Sequence, residues 1–365
     1  MCNSFTLQLK QLLDDYNSQH HALEQEINRL PQAEALNNPI WYKRTHHLAH
    51  TQARALTELV WAKETCAATE ILQNHPIHSQ VLLQSAFIRH AYLRPYGYPG
   101  DKDLMLMICQ KTDVGESNYA ILQNRVYLNL PAAEAVRQRV GSMKHYLMRL
   151  PAQSKVLNVA CGPALEVSQL FAQQPECSLA FDLVDHDPRT IQYTQLTIHA
   201  PTVRHIIGNA IRMALGLRDV ELVTNNHATE VTTFPQTQSM QLASESYDLV
   251  YSMGLYDYLL HHPGHCNKGT IGLTQTLFDL VKPGGTLIIG NYLAPSPINP
   301  HTFSHRLMME CYSNWQLHYR TYAELFGFTE SLELESYKVT LTNEYFDTPP
   351  LQRGTIGFLL IHKYL

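Results

Sequence analysis

Two stretches carry residue types and spacing that could do chemistry: Lys155 through Val167, with Asn158, Ala160, Cys161, Gly162 and Ala164 at its centre, and Phe181 through Asp187, which ends in Asp185, His186 and Asp187. A short apolar run closing on small residues, then a helix, then a second apolar run closing on an acid about twenty residues further on is the pattern of a nucleotide-binding βαβ unit. Small residues at 160, 162 and 164 let the backbone turn sharply and approach a ligand, the alanines doing so if their φ is negative. The free N–H groups at the start of a helix over 165–173 can receive a carboxylate or another polar group. Asp185, at the carboxyl end of the second strand, is placed to accept hydrogen bonds from two ribose hydroxyls.

Further strands must stand beside these two. Residues 206–210 read as a third strand with a polar tip at Asn209 and Ala210. Residues 247–255 read as a fourth, ending in Ser252, Met253 and Gly254. Residues 280–291 combine a helix end, a Pro-Gly-Gly turn and a fifth strand. This order resembles the class I S-adenosylmethionine-dependent methyltransferases, from about residue 131 to the C-terminus. The resemblance implies an α/β fold with a Rossmann-like, seven-stranded sheet and an N-terminal all-α cap domain. It also implies S-adenosylmethionine as cofactor and S-adenosylhomocysteine as product. In that family Ala160, Cys161 and Gly162 would approach the cofactor, Asp185 would take the ribose, and His186 or Asp187 would flank the adenosine. Asn209 and Ala210 would meet the adenine, and Ser252, Met253 and Gly254 the methionine side. The family's acid at the end of the first strand supports the methionine end; Asn158 stands there in this chain, and Ala160 and Ala164 stand where glycines are usual.

Four further segments, 96–101, 254–259, 290–292 and 309–321, resemble a narrower group of bacterial methyltransferases that make the methyl ester of 3-hydroxypalmitic acid, a quorum signal. This implies a small-molecule acceptor and a place in bacterial secondary metabolism or signalling. Tyr96, Tyr98 and Asp101 lie in a Pro- and Gly-punctuated loop, either a rigid connector or a lid that folds over the cofactor and excludes water. For a carboxylate acceptor, cationic or hydroxyl donors are needed, and Arg320, Arg306, Tyr292, Tyr256 and Tyr258 are candidates. For an amine or hydroxyl acceptor a base is needed, and Asp257, Asp101, Glu310 or a histidine of the 261–265 loop could serve. Arg320 and Trp315 read equally well as structural contacts.

Composition bounds these readings. The 365 residues carry a formal net charge of -5, with 45% hydrophobic and 16% charged residues, a globular composition with no electrostatic reason to expect a nucleic-acid partner. Seven scattered cysteines without a C-x-x-C pair fit reduced thiols in a cytoplasmic protein. No apolar run suggests a signal peptide or membrane span. No metal is expected: His46, His47 and His50 read as part of a solvated helical face, and the histidines at 261–265 with Cys266 as a polar loop. A homodimer is left open.

Along the chain, helices are expected at 5–30, stopped by Pro31, then at 38–73, 79–92 and within 102–150. A boundary near residue 130 separates a helical cap/substrate-lid domain, 1–130, from a methyltransferase domain, 131–365, with a lid insertion at about 293–326. Residues 212–246 read as a mobile insertion, 302–312 and 315–326 as helices, and 331–340 and 355–364 as final antiparallel strands. The functional expectation is O-methylation of a carboxylic, hydroxy fatty acid. The alternatives are N-methylation of an amine or amino-acid-like metabolite and, from another class, a non-catalytic S-adenosylmethionine-binding regulatory or scaffold protein.

Overall fold

The computed structural model describes residues 2–60, 65–224, 236–265, 267–295, 306–346 and 354–365. The chain divides into two compact units: residues 1–136 with 295–317, and residues 137–294 with 318–365.

The first unit is helical. It contains α1 (Cys2–Asn28), α2 (Gln32–Asn37), α3 (Pro39–Val60), α4 (Thr65–Gln73), α5 (Pro76–Gln80), α6 (Ala86–Leu93), α7 (Lys102–Gln110) and α8 (Asn118–Leu128), and the start of α9 (Pro131–Leu147). Leu23, Ile27, Ala35, Leu48, Tyr119 and Leu122 form one of its apolar clusters. The predicted 38–73 helix corresponds to α3 and α4, with 61–64 outside the described residues. The predicted 79–92 helix is instead broken: α5 ends at Gln80, a tight turn spans Leu82–Gln84, and α6 starts afresh. Ser85 is the reason, because its hydroxyl caps the N–H of Ile88 at 3.4 Å and anchors to Asn124 Oδ1 at 3.0 Å. Of the predicted 302–312 helix, residues 302–305 lie outside the described residues, and Met308–Tyr312 is π-helical.

The second unit is built on a sheet: β1 (Lys155–Val159), β2 (Ala180–Asp185), β3 (Val203–Ile207), β4 (Asp219–Val223), β5 (Thr237–Gln241), β6 (Tyr247–Ser252), β7 (Val281–Tyr292), β8 (Tyr337–Asn343) and β9 (Ile356–Lys363). Between them run α10 (Leu165–Gln173), α11 (Pro188–Thr197), α12 (Ala210–Ala214), α13 (Gly269–Leu280) and α14 (Tyr322–Phe326). The strand order is β5-β4-β3-β2-β1-β6-β7-β9-β8. β3, β2, β1, β6 and β7 are mutually parallel, whereas β9 is antiparallel to both β7 and β8. Leu157, Val250, Leu287 and Leu359 of the sheet pack with Leu273 and Leu277 of α13 in one core.

Among the described residues the sheet therefore has nine strands where seven are expected. The extra pair is β4 and β5, antiparallel, with Val220 opposite Met240; they come from the segment expected to be a mobile insertion. β5, at the edge of the sheet, is polar and largely exposed, which hides its strand signal, while β4 inside it is five residues long with Val220 and Val223 buried. Residues 225–235 of that segment lie outside the described residues. The Pro-Gly-Gly turn is absorbed into β7 as an irregularity: Tyr247 pairs with Val281, and regular pairing resumes at Leu249 with Thr286. The helix expected over 315–326 reduces to α14, because Arg320 makes an isolated parallel bridge with Leu293 and Thr321 and Glu324 form a capping box that starts the helix late. At 331–340 the strand begins only at Tyr337.

Candidate functional site

In an open α/β sheet the ligand crevice lies outside the carboxyl ends of the strands where the order reverses. Here the reversal falls at β1, between β2 and β6. The turn after β1 is held from both sides. Cys161 N–H donates to Val184 O at 3.0 Å, and Ala164 N–H to Cys161 O at 3.1 Å. Gly162 N–H donates to Asp185 Oδ2 at 3.0 Å, while Oδ1 of Asp185 accepts from Asp187 N–H at 3.0 Å. The alanines do not keep negative φ as expected: Ala160, Gly162 and Ala164 have φ of 57°, 53° and 46°. The left-handed conformation costs an L-residue about 1–2 kcal/mol, so this turn stores strain at two positions. A Cβ on Gly162 would meet nothing within 4 Å, so that face of the turn is open.

Below the turn lies a buried polar cluster that the sequence reading missed. Asn158 Nδ2 donates to Glu166 Oε1 at 2.9 Å, and the Tyr251 hydroxyl donates to the same oxygen at 2.8 Å. Burial pushes the Glu166 carboxyl above its ordinary range, against the pull of these bonds and the charge of Arg139. Arg139, on α9, donates from Nη1 to Met253 O at 2.8 Å, and a Cβ on Gly254 would sit 3.1 Å from its Nη2. Glycine at 254 thus lets the guanidinium lie against the backbone after β6. The one available signal was an acid, Glu166, two residues into a helix that begins at such a turn.

The remaining predicted cofactor residues occupy the neighbouring strand ends. His186, half exposed, has Nδ1 3.3 Å from Asp185 Oδ1, and this bond raises its pKa. Asp187 caps α11 through Arg189 N–H at 2.9 Å and pairs with the Arg189 guanidinium at 2.8 Å. Asn209 caps α12, its Oδ1 accepting from Ile211 N–H at 2.8 Å, with Ala210 as the first helical residue. Cys161 is buried, and burial holds its thiol far above the ordinary range. The Ser252 hydroxyl is fully buried and makes no hydrogen bond among the described residues.

A second group gathers in the loops after β6 and β7. Asp257 is buried, accepts from Tyr292 N–H at 2.6 Å, and its carboxyl is pushed up to about 6 by burial, against the charges of Arg139 and Arg320. Arg320 donates to Tyr256 O at 2.8 Å, to Asn291 Oδ1 at 2.6 Å and to Leu259 O, and its guanidinium lies over the Phe328 ring. Burial lowers its pKa. These bonds commit the guanidinium to bracing the two loops. Tyr256 is a core residue whose hydroxyl meets Thr274 Oγ1 at 3.1 Å; Tyr258 is half-buried beside it. In the 261–265 loop, His261 Nδ1 meets Thr270 Oγ1 at 2.9 Å and Gly264 N–H donates to Glu330 at 2.6 Å; Cys266 lies outside the described residues.

The other candidates belong to the helical unit. Asp101 is a buried N-cap of α7, accepting from Asp103 and Leu104 N–H at 3.0 Å each and facing His90 Nε2 at 2.9 Å. The Tyr96 hydroxyl donates to Asp103 at 2.6 Å, with Lys102 over its ring, and Tyr98 is half-buried in the same loop. Arg306 pairs with Glu310 at 2.7 Å, and Trp315 is buried.

No family model matches the chain, and no curated protein matches it. Among solved structures, the chain is similar to one named as a possible exported protein from Bordetella parapertussis, at 17% identity and a TM-score of 0.53, covering 83% of this chain and 98% of that one. A protein from Thermobifida fusca named only provisionally as a methyltransferase aligns at 13% identity and a TM-score of 0.48, over 74% of this chain and 97% of that one. A S-adenosylmethionine-dependent methyltransferase from Thermotoga maritima aligns at 11% identity and a TM-score of 0.37, over 62% and 88%. The first of these likenesses establishes a shared fold.

Proposed function

We propose that this chain is a S-adenosylmethionine-dependent methyltransferase acting on a small-molecule acceptor. The observation that carries the reading is the hydrogen-bonded junction of Gly162 and Asp185 at the point where the sheet order reverses. The residues suit such a cofactor in three respects. Gly162 turns an open face outward. Oδ2 of Asp185 takes one backbone donor and keeps a second lone-pair site. Ser252 holds a buried hydroxyl with no hydrogen bond among the described residues.

In this reading Asp185 holds the ribose, Asn209 and Ala210 border the adenine, and the 160–164 turn with Ser252, Met253 and Gly254 borders the methionine portion. The cofactor, when bound, supplies an electrophilic methyl group on a sulfonium. The chain's own residues align the acceptor and exclude water, which can be worth about 7–11 kcal/mol of barrier against roughly 10²–10⁴-fold for a general base. The finer reading is O-methylation of a carboxylic, hydroxy fatty acid; it rests on the resemblance of residues 96–101, 254–259, 290–292 and 309–321.

One observation favours a protic acceptor instead. Arg320, the cation best suited to hold a carboxylate, is committed to Tyr256, Leu259 and Asn291, while Asp257 is a buried acid raised to about 6, suited to take a proton from an amine or hydroxyl. The test is calorimetric titration of S-adenosylhomocysteine, followed by transfer of a labelled methyl group onto carboxylic acids and onto amines. Binding with transfer to one class selects between the two; absence of binding by the unaltered protein removes both.

A further inference from the structure

Asn158 and Tyr251 stand side by side in the register of β1 and β6, so their side chains leave the sheet on one face. Glu166, the second residue of α10, reaches back to that face. Asn158, Glu166 and Tyr251 are all buried, and two neutral donors fall on one carboxylate oxygen: Asn158 Nδ2 at 2.9 Å and the Tyr251 hydroxyl at 2.8 Å, each to Oε1. Glu166 therefore sets which end of the Asn158 amide faces it. A carboxylate offers only acceptors, and if the group took up a proton, the two donors on Oε1 would leave that proton to Oε2. In either state the amide nitrogen of Asn158 points to Glu166 and its carbonyl oxygen points away.

That oxygen, Oδ1, belongs to the residue before the last of β1, at the point where the strand order reverses. It accepts no hydrogen bond among the described residues, and unlike the Ser252 hydroxyl it is not sealed off. The turn that follows has an open side, since a Cβ on Gly162 would meet nothing within 4 Å. Its surroundings are acidic. The charges of Asp185 and Glu166 both act on the Cys161 thiol, adding to the burial that holds it up, so the turn lies between two carboxylates. Arg139, a cation that acts on Glu166, spends Nη1 on Met253 O at 2.8 Å. An outward-facing carbonyl backed by a buried carboxylate matches a primary ammonium, which brings donors, a positive charge and no acceptor.

We propose that Asn158 and Glu166 form the subsite for the α-ammonium of the cofactor's amino-acid portion, an inference that rests on the methyltransferase reading. Asn158 accepts from the ammonium through Oδ1. Glu166 is a positioning residue: it holds the amide in the orientation that presents Oδ1, and it supplies the negative charge that a neutral amide lacks. Tyr251 braces Glu166 and leaves the orientation of Asn158 alone.

The full chain would be titrated calorimetrically with S-adenosylhomocysteine and with its deaminated analogue, in which hydrogen replaces the α-amino group. Asn158→Leu, Glu166→Gln and Tyr251→Phe would be titrated likewise, and the thermal midpoint of each taken without ligand. The unaltered protein should prefer S-adenosylhomocysteine by about tenfold or more, the scale of one hydrogen bond to a charged group. Asn158→Leu should abolish that preference and leave the affinity for the analogue unchanged. Glu166→Gln sets an amide against an amide, so the Asn158 carbonyl is no longer held outward, and most of the preference should be lost. Tyr251→Phe should lower the midpoint and keep the preference, a separation that a merely structural cluster would not give. Equal binding of the two ligands by the unaltered protein overturns the subsite and leaves the methyltransferase reading standing. So does an equal weakening of both ligands in Asn158→Leu and Glu166→Gln, which would make the cluster a brace for the turn. Absence of binding of both ligands by the unaltered protein overturns the methyltransferase reading, and the subsite with it.

Discussion

The backbone N–H of Gly162 donates to Oδ2 of Asp185 at 3.0 Å, so the turn after β1 and the tip of β2 are one hydrogen-bonded unit. Asp185 therefore has a structural duty to the turn as well as its proposed duty to the ribose. Asp185→Ala removes both, and S-adenosylhomocysteine should bind more weakly by roughly 1.5–3 kcal/mol, about 10- to 150-fold. Asp185→Asn keeps an acceptor for Gly162 and should lose less. Calorimetric titration of both variants checks the order, and equal affinity in all three proteins would remove Asp185 from the site.

The strained turn gives a prediction of opposite sign. Ala160→Gly and Ala164→Gly relieve a left-handed strain of about 1–2 kcal/mol, partly offset by glycine's extra freedom in the unfolded chain, about 0.5–1 kcal/mol. Each should gain up to about 1 kcal/mol in urea unfolding. Gly162→Ala should lose stability although space is open for its methyl group, because its φ is +53°. A loss in both glycine variants would mean that the alanine methyl groups pack more strongly than the backbone is strained.

Asp257 gives the pH dependence. Its carboxyl is raised from 3.8 to about 6 in the folded protein, so the native state holds this proton more tightly than the unfolded chain does. That contribution is full below about pH 4 and is lost as pH rises through about 6. Asp257→Asn cannot ionise and should lose less stability than the unaltered protein between pH 4 and 7, which urea midpoints across that range measure. If Asp257 is the base for a protic acceptor, methyl transfer should rise through about pH 6 and the Asn variant should lose that limb.

Arg139 stands between the two groups, its charge acting on both Glu166 and Asp257 and its Nη1 on Met253 O. Arg139→Met should cost about 2 kcal/mol for the orphaned carbonyl and lost charge. It should also shift the ascending limb of the pH–rate profile to higher pH, because Asp257 loses a stabilising cation. Arg139→Lys should restore part of that shift. An unmoved limb in the Met variant would show that Arg139 only braces the loop.

For Arg320 the expected effect is on stability first. Arg320→Met takes the donor from the carbonyl of Leu259 and the amide oxygen of Asn291, while Tyr256 O keeps the N–H of Leu259, at a cost of about 3 kcal/mol. Differential scanning calorimetry would read this directly. A stable variant with lost turnover would point to contact with the acceptor instead.

Much of the sheet was legible because β1, β2, β6 and β7 are buried apolar runs bounded by turn residues, where period and punctuation agree. β4 and β5 were not, since the edge strand β5, with its Thr, Gln and Ser, looks like a loop, and β4 is a five-residue strand whose partner it is. The break at Ser85 was missed because helical periodicity runs through it, while the deciding interaction is with Asn124, far along the chain. The same reason hid the cluster below the turn: Asn158 was read by its position, but its partners Glu166 and Tyr251 come from other elements. Arg320 was legible as a cation near the strand ends, and its commitment to main-chain oxygens was not.

The position of β9 bears on how the sheet is assembled. It lies between β7 and β8, hydrogen-bonded to both, although it is the last of the nine strands in sequence. Until residues 356–363 have been synthesised, β8 has no neighbour in the sheet and β7 presents an open edge, so this half of the sheet cannot zip up as it emerges. The pairing of β7 with β9 joins segments about seventy residues apart, Thr286 with His362 at one end, a loop closure that precedes its reward. A nascent chain therefore carries an open edge on β7 and an unpaired β8, and removing the last strand would leave two exposed edges rather than one shorter sheet.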